Sequence, residues 1–260
     1  MINKTHEKYD LINIISLPTL VILSLLIIWQ IITLILDIPK WLLPSPITIL
    51  MEIYNNFSLL IRHSLVTIQE IFFGFIFALI LGIALAISID KSSVVEKSIY
   101  PLVIASQTIP IIAITPLLLV WIGYGIFTKI IIVALISFFP IVVNMVDGLR
   151  STDISIEKMA ITLGANKFQL LTLIRIPSSL PYLFSGMKIG ISISVIGAVI
   201  GEWVGASSGL GYLMLQSAPR FQTSLVFASI FFLSIIGISL FTFIQVLEYK
   251  LVRWNRFSNY

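Results

Sequence analysis

Cysteine is absent from this 260-residue sequence, and charged residues are scarce. The lack of cysteine excludes disulfide bonds, thiolate metal sites and cysteine nucleophiles. Asp, Glu, Lys and Arg make up only 11% of the residues, whereas a soluble domain averages roughly 25%. Hydrophobic residues make up 58% of the chain. This balance predicts an all-α integral membrane protein rather than a soluble domain.

Signals for catalysis, metal binding and nucleotide binding are also missing. The two histidines, His6 and His63, are isolated, so we predict neither a metal site nor a Ser/His/Asp arrangement. The glycine-rich stretch from Gly205 to Tyr212 lacks the Lys-Ser/Thr end of a phosphate-binding loop, and it is predicted to be a flexible turn. Basic residues flank apolar runs instead of forming one patch, so the net charge of +4 does not indicate nucleic acid binding. We therefore predict no enzyme activity and no cofactor, and any use of ATP belongs to another chain.

Six apolar runs are long enough to cross a bilayer, which takes roughly 20 residues. The first run lacks a small-residue cleavage site, so it is predicted to be an uncleaved span rather than a signal peptide. No appended soluble domain is visible, and residues 1–260 are predicted to form a single transmembrane domain. The predicted spans lie at about 10–37, 66–90, 98–121, 126–146, 182–204 and 225–247.

The distribution of Lys and Arg around these spans predicts the orientation of the chain, because short cytoplasmic loops are enriched in both. With the N-terminus inside, the outer face has only Lys40, Arg62, Lys129 and Arg220. The inner face then has Lys4, Lys8, Lys91, Lys97, Arg150, Lys158, Lys167, Arg175, Lys250, Arg253 and Arg256. Both termini and the loop at 150–181 are therefore predicted to be cytoplasmic.

The stretch from Arg150 to Pro181 is polar, whereas the sequence on either side is apolar, and it predicts two short helices. Asp153 can cap the first helix, and Gly164 can end it because glycine adopts a positive φ without penalty. Asn166 and Gln169 resemble a capping box at the start of the second helix. A charged, helix-forming segment between membrane spans must meet water or a soluble partner.

Pro177 and Pro181 are predicted to stop the second helix, since proline lacks the backbone donor that a helix needs. Met159, Leu163 and Phe168 give the segment an apolar surface flanked by charge, as a docking surface requires. The alternative is a cytoplasmic loop that lies on the membrane surface, and physical reasoning alone leaves both open.

The run Met159-Ala160-x3-Gly164, followed by Ile174-x-Ile176-Pro177, resembles the EAA loop of binding-protein-dependent ABC importer permeases. The sequence departs from the family pattern at Lys158, Met159 and Ile176. In that family the loop docks on the ATPase subunit. The resemblance implies that the ATPase-coupling residues are Met159, Ala160, Leu163, Gly164, Ala165, Phe168, Ile174 and Pro177.

Prolines and polar residues interrupt the third predicted span. Pro101, Pro110 and Pro116 free backbone carbonyls that lipid cannot satisfy, as expected where a broken helix lines a cavity. Gln107 and Thr108 are therefore candidates for the substrate path, with a kinked packing helix as the alternative.

The fifth predicted span combines small residues with one acid. Gly186-x3-Gly190 and Gly197-x3-Gly201 are pairs that allow helix backbones to approach closely. Ser194 and Glu202 are further candidates for the substrate path. A snorkelling position at the interface is the alternative for Glu202, and Glu70 has the same two interpretations.

Further motifs resemble nitrate/sulfonate/taurine-type permeases across nearly the whole chain after Lys40. They lie at 40–46, 116–125, 139–144, 201–203 and 209–212. Within that group, Thr67–Gly74 and Ala105–Pro110 look closer to the branch associated with uptake of thiamine-precursor pyrimidines or riboflavin. The sulfonate-type branch more often has arginine at the Glu70 position.

The resemblance implies a type I ABC importer permease of the MetI-like fold in a bacterial cytoplasmic membrane. Implied partners are a pair of cytoplasmic ATPase subunits, an extracytoplasmic solute-binding protein, a second permease copy and membrane lipid. The implied function is ATP-driven import, by alternating access, of hydroxymethylpyrimidine, riboflavin, a sulfonate, taurine or nitrate.

Two other function classes compete with this interpretation. A channel or ion-coupled carrier is disfavoured because charges within the spans are few and no pair is evident. A membrane scaffold would produce no solute flux at all.

Overall fold

A computed structural model of the chain describes residues 3–252 and 254, with side chains from residue 17 onward. The side chains of Lys4, His6 and Lys8, and all of Arg253 and Arg256, lie outside the described residues. The part of the chain that is described contains helices and no strand, which confirms the all-α prediction.

The helices follow one another with short connections. They are α1 (Asn3–Ile35), α2 (Pro46–Asn55), α3 (Phe57–Lys91), α4 (Ser93–Ser106), α5 (Ile111–Ile122), α6 (Ile126–Arg150), α7 (Ile154–Thr162), α8 (Lys167–Leu170), α9 (Ile176–Gly205), α10 (Leu210–Ser217) and α11 (Thr223–Leu251). A π-helical turn at Leu171–Arg175 joins α8 to α9, and a 3₁₀ turn at Ala218–Arg220 follows α10.

Five helical stretches of the described chain are long and apolar enough to cross a membrane. A sixth span is obtained when α4 and α5, which meet at a bend of 103°, are counted as one broken span. The count agrees with six predicted spans, and the break falls at residues 107–110, where the prolines and polar residues predicted an interruption.

The prediction that Pro177 and Pro181 stop a helix is wrong. The helical path continues from Lys167 through the π-helical turn into α9, with Pro177 in its first turn and Pro181 inside it. Pro177 directly follows the π-helical turn, where the hydrogen-bond pattern already departs from that of an α-helix. Proline inside a membrane helix is tolerated where local π-helical geometry and neighbouring groups re-satisfy the freed backbone, and a π-helical turn directly precedes α9.

The chain divides into two compact units. Unit 1 comprises Met1–Leu60 and Met214–Ile230, and unit 2 comprises Ile61–Leu213 and Phe231–Tyr260. In unit 1, aromatic side chains connect distant parts of the sequence: the rings of Trp29 and Phe227 lie 5.6 Å apart, and those of Trp41 and Phe221 lie 5.9 Å apart. Unit 2 contains the stretch Arg150–Pro181, which we call the coupling segment, and all of the predicted site residues.

Contact between α6 and α9 forms the core of unit 2. A Cβ atom at Gly186 would lie 2.6 Å from the Pro140 carbonyl oxygen, and one at Gly197 would lie 3.2 Å from the Val133 Cα. Backbones can approach this closely only where the side chain is a hydrogen atom. The predicted role of the small-residue pairs in α9 is therefore confirmed, with α6 as the partner helix.

α6 also packs closely against two glycines of α3. A Cβ at Gly74 would collide with the Val133 side chain, and one at Gly82 would collide with Ile141. Val133 and Ile141 are fully buried. α3, α6 and α9 therefore pack against one another, since a Cβ at Gly190 of α9 would also lie 3.4 Å from the Phe75 ring of α3, and these three helices connect the two ends of unit 2.

Replacing Gly186 by Val is expected to destabilise unit 2 by about 1–3 kcal/mol, because the added atoms must displace the α6 backbone. Thermal unfolding of the purified protein in detergent measures the change. Gly237→Ala is the matched control, since its new Cβ would meet Val195 at an ordinary 3.6 Å. Equal melting temperatures for Gly186→Val and the wild type would contradict the close packing of α6 and α9.

Candidate functional site

The first helix of the predicted coupling segment, α7, begins and ends as its sequence predicts. The Asp153 carboxylate accepts a hydrogen bond from the Ser155 N–H at 2.7 Å. Gly164 has a φ of 91°, and the N–H of Ala165 donates to the Ala160 carbonyl at 2.9 Å. This is the Schellman arrangement that terminates a helix with glycine.

A capping box starts the second helix, as predicted. The Gln169 N–H donates to the Asn166 side chain at 2.9 Å, and the Asn166 N–H donates to the Gln169 side chain at 2.9 Å. The helix α8 that follows is only four residues long before the π-helical turn. Local hydrogen bonds therefore define both ends of the connection between α7 and α8.

Three large apolar side chains of this segment are exposed. Met159 is 60% exposed, Leu163 79% and Phe168 70%. Gly164 is exposed as well, whereas Ala160, Ala165, Ile174 and Pro177 are partly buried. Three large apolar groups around a rigid turn form a surface suited to protein docking.

Arg175 ties the coupling segment to the end of α3. Its guanidinium donates to both Glu157 carboxylate oxygens, at 2.6 and 2.9 Å, and to both Asp90 oxygens, at 3.0 and 3.1 Å. Arg175 belongs to the π-helical turn, Glu157 to α7 and Asp90 to α3. The sequence predicted Arg175 only as an inner-face basic residue, because its partners are 18 and 85 positions away.

A cavity of about 730 Å³ lies at the other end of unit 2. The 24 residues that separate Val66, in its wall, from Asp90 span roughly 36 Å along α3 at a rise of about 1.5 Å per residue. We call this the distal cavity. Its walls are formed by Val66, Gln69, Glu70, Tyr124, Gly125, Ile126, Lys129, Gly205, Ala206, Ser207 and Ser208.

A buried ion pair forms part of the wall of the distal cavity. The Lys129 ammonium donates to Glu70 Oε1 at 2.7 Å, and Glu70 is fully buried. The absence of paired charges within the spans, predicted from the sequence, is therefore wrong. The two residues are 59 positions apart, and only the packing of α3 against α6 brings them together.

Glu202 is fully buried beside this pair and interacts with both of its members. Its carboxylate accepts the Thr67 hydroxyl at 2.6 Å and the Tyr212 N–H at 3.3 Å, and also accepts the Gly211 N–H. It is therefore not a snorkelling residue at the interface. All of these contacts of Glu202 are within the chain. A role for Glu202 on a substrate path stays a prediction.

His63, Thr67 and Glu202 together hold residues 209–212. The Thr67 hydroxyl oxygen accepts the Leu210 N–H at 2.9 Å, and His63 Nδ1 lies 3.0 Å from the Gly209 nitrogen. Gly209 has a φ of 117°, and a Cβ there would collide with the Glu202 carboxylate. The prediction of a flexible turn is wrong for these residues, and the prediction that His63 has no partner is wrong too. The only features of the sequence that pointed to this arrangement were the glycines and Glu202 itself.

The other predicted substrate-path residues do not lie in the distal cavity wall. Gln107 and Thr108 are exposed at the break between α4 and α5, and the Thr108 hydroxyl donates to the Ala105 carbonyl at 2.8 Å. Ser194 is fully buried in α9 and donates to the Ile191 carbonyl at 2.6 Å. Their roles in transport stay predictions.

Residues 78–253 match the family model described as "binding-protein-dependent transport system inner membrane component". The chain is 42% identical to the formylaminopyrimidine transport permease ThiX of Halalkalibacterium halodurans, over 92% of this chain and 96% of the relative. It is 36% identical to the riboflavin permease RibX of Chloroflexus aurantiacus, over 93% of this chain and 90% of the relative. The putative aliphatic sulfonates permease SsuC of Bacillus subtilis is 30% identical, over 96% and 90%.

A chain of the inward-facing MetNI methionine ABC transporter shares the fold, with a TM-score of 0.61 and 17% identity. The match covers 74% of this chain and 97% of that one. The predicted MetI-like fold and the resemblance to nitrate/sulfonate/taurine-type permeases are both confirmed. The chain therefore belongs to the family of binding-protein-dependent transport system inner membrane components, and it is a transmembrane permease of an ABC transport system.

Proposed function

We propose that this permease imports a small organic solute, a thiamine-precursor pyrimidine or riboflavin, across a bacterial cytoplasmic membrane. The ATP is hydrolysed by separate ATPase subunits, and an extracytoplasmic solute-binding protein delivers the solute. The substrate class is supported by the pyrimidine and riboflavin permeases, which are 42% and 36% identical over more than nine tenths of this chain. The sulfonate and taurine permeases are less similar, at 30% and 29% identity.

The observation that carries the proposal is the exposed coupling segment on a permease of this family. Its apolar side chains, Met159, Leu163 and Phe168, surround a turn whose ends are fixed by caps. Ala160, Gly164, Ala165, Ile174 and Pro177 complete the surface on which the ATPase subunit docks. A rigid turn with exposed anchors binds a partner without first losing much conformational entropy.

The orientation proposed for the chain places this surface in the cytoplasm together with both termini. Lys91, Arg150, Lys158 and Lys167 all lie near the same end of unit 2, as the enrichment of cytoplasmic loops in basic residues requires. The distal cavity then faces the side from which the binding protein delivers the solute.

A second copy of the chain completes the translocation path in this proposal. Residues 1–260 act as one transmembrane permease domain, and two such domains enclose the path between them. Many large apolar side chains on the long helices are exposed, and these face lipid or the second copy.

ATP drives transport by alternating access. Nucleotide binds one state of the ATPase pair more tightly than the other, and this difference in binding free energy drives the change of state. Movement of the ATPase subunits is passed to α7 and α8. The movement then reaches α3 through Arg175, because its guanidinium binds carboxylates of both α7 and α3. α3 leads directly to the distal cavity.

Replacing Gly164 by Val is expected to abolish ATP-dependent uptake and to reduce the amount of ATPase that co-purifies. A β-branched residue at a φ of 91° carries a backbone strain of about 1–3 kcal/mol, so the turn loses its shape. Uptake by membrane vesicles and mass spectrometry of the purified complex measure the two effects.

Thr162→Val is the matched control, because it places the same side chain on the exposed face of α7 without strain. It should retain uptake and ATPase binding, and both variants should insert in the membrane. Normal uptake by Gly164→Val would remove the segment from the mechanism.

Arg175→Lys is expected to loosen the coupling segment, since one ammonium cannot bind two carboxylates in a bidentate manner. Hydrogen bonds to charged groups contribute about 1.5–3 kcal/mol each, so amide exchange in residues 154–175 should become roughly tenfold faster. Hydrogen-exchange mass spectrometry of the assembled transporter measures this.

The control for that variant is Arg150→Lys, which alters a pair with Glu96 whose side chains are 41% and 43% exposed. Exposed pairs contribute only about 0–1 kcal/mol, so exchange should change little. Equal responses of the two variants would contradict the special role of Arg175.

A further inference from the structure

We infer that α2 lies in the membrane–water interface and inserts an exposed apolar face into the lipid leaflet at the start of α3. In the orientation proposed above, this is the outer leaflet. The face is therefore covered by lipid, and not by the binding protein or a second copy of the chain. The inference goes beyond the import function and holds whichever solute is transported. Its basis is the exposure along α2, the hydrogen bonds of its first turn and the depth at which that turn contacts α1.

The exposed side of α2 is apolar. Its large exposed side chains are between 51% and 85% exposed, and they are Ile47, Leu50, Met51 and Tyr54. Their spacing of three or four residues places them on one face of the helix. A helix on the surface of a soluble domain turns such a face toward the core. Because α2 turns it outward, this face must contact lipid or another protein.

The length of α2 favours a position along the membrane surface. Its ten residues extend about 15 Å, half of the roughly 30 Å hydrocarbon core, so α2 cannot cross the bilayer. Only Asn56 separates it from α3, which is long enough to cross. The polar residues Thr48, Glu52 and Asn55 lie together on another side of the helix from Leu50. One apolar face and one polar side are typical of helices that lie in the interface.

The first turn of α2 has no N–H group that needs water. Pro46 lacks an N–H, the Ile47 N–H donates to the Gln30 side chain at 3.2 Å, and the Thr48 N–H donates to the Ser45 hydroxyl at 3.3 Å. The next N–H group donates to the Ser45 carbonyl at 3.0 Å. The start of a helix usually leaves such groups to water, whereas lipid offers no acceptor. The motif that ends at Pro46 therefore gives α2 a start that is suited to lipid.

The contact with Gln30 places this turn at bilayer depth. Gln30 belongs to the apolar stretch Leu17–Ile35 of α1 and lies five residues before its end, roughly 8 Å along the helix. Interfacial helices bury their apolar face about 5–10 Å deep, which agrees with this position. Trp41 and Tyr54 are exposed on and just before α2, and both residue types are enriched at membrane interfaces. A binding protein approaches from water and does not reach this depth.

The lack of cysteine allows a direct test, because a thiol-reactive spin label modifies only the one cysteine that is introduced. Leu50→Cys places the label on the apolar face. Asn55→Cys is the matched control, since it is exposed on the polar side of the same helix. The labelled permease–ATPase complex is reconstituted in phosphatidylcholine vesicles, which suffice because α2 contains no Lys or Arg.

Electron paramagnetic resonance then measures collisions of each label with oxygen, which concentrates in lipid, and with a water-soluble nickel complex. The label at Leu50 should collide mainly with oxygen, and the label at Asn55 mainly with nickel. Addition of the solute-loaded binding protein should leave the oxygen collisions at Leu50 unchanged. Met51→Cys reports from the same face and decides the question if Leu50→Cys does not assemble.

The inference is overturned if the label on the apolar face collides mainly with nickel, because α2 would then lie in water. Loss of oxygen collisions when the binding protein is added would assign the face to that protein. Dipolar broadening between two labels, with little access to either reagent, would assign it to a second copy. ATP-dependent uptake by the same vesicles tests the importer separately, and neither of its outcomes alters the collision result.

Discussion

Close approach of the α6 and α9 backbones is the contact on which the rest of unit 2 depends. In a bilayer, helices gain little from burying apolar side chains against each other, because lipid is equally apolar. Association therefore relies on close van der Waals contact, and glycines at 186, 190 and 197 bring α9 directly against the α6 backbone. Gly74 and Gly82 of α3 leave room for the Val133 and Ile141 side chains of α6. The result is a closely packed three-helix frame.

The ion pairs that join members of this frame to one another lie at its two ends. At one end, Arg175 binds Asp90 and Glu157, and at the other Lys129 binds Glu70 beside Glu202. Between them the packed faces are apolar or small. Ionisable groups within membrane spans are costly, so they persist where partners satisfy them and where function requires them. A frame of this kind can connect events at the coupling segment with events at the distal cavity.

The sequence allowed good prediction of features that depend on neighbouring residues. The caps at Asp153, Gly164 and Asn166, the glycine pairs of α9 and the break after α4 all follow from local backbone chemistry. Local rules failed at Pro177 and Pro181, because a π-helical turn and the membrane environment allow the helix to continue. Proline is a weaker stop signal where a neighbouring segment is already helical and side chains support the backbone.

The candidate site was less predictable than the fold because its partners are far apart in the sequence. The separations are 59 residues for Glu70 and Lys129, 135 for Thr67 and Glu202, and 146 for His63 and Gly209. Periodicity and capping rules contain no information on such pairs. Each acid or base was visible in the sequence, but its partner depended on which helices pack together.

The most direct test of the central claim is solute uptake by proteoliposomes that contain the permease, its ATPase and the loaded binding protein. The labelled solute held by the binding protein should accumulate inside only when ATP is supplied on the side of the coupling segment. Uptake should disappear when ATP is replaced by a non-hydrolysable analogue. Accumulation of the same solute without ATP, or without the ATPase, would contradict an ATP-driven importer and would favour a carrier that uses the buried Glu70–Lys129 pair.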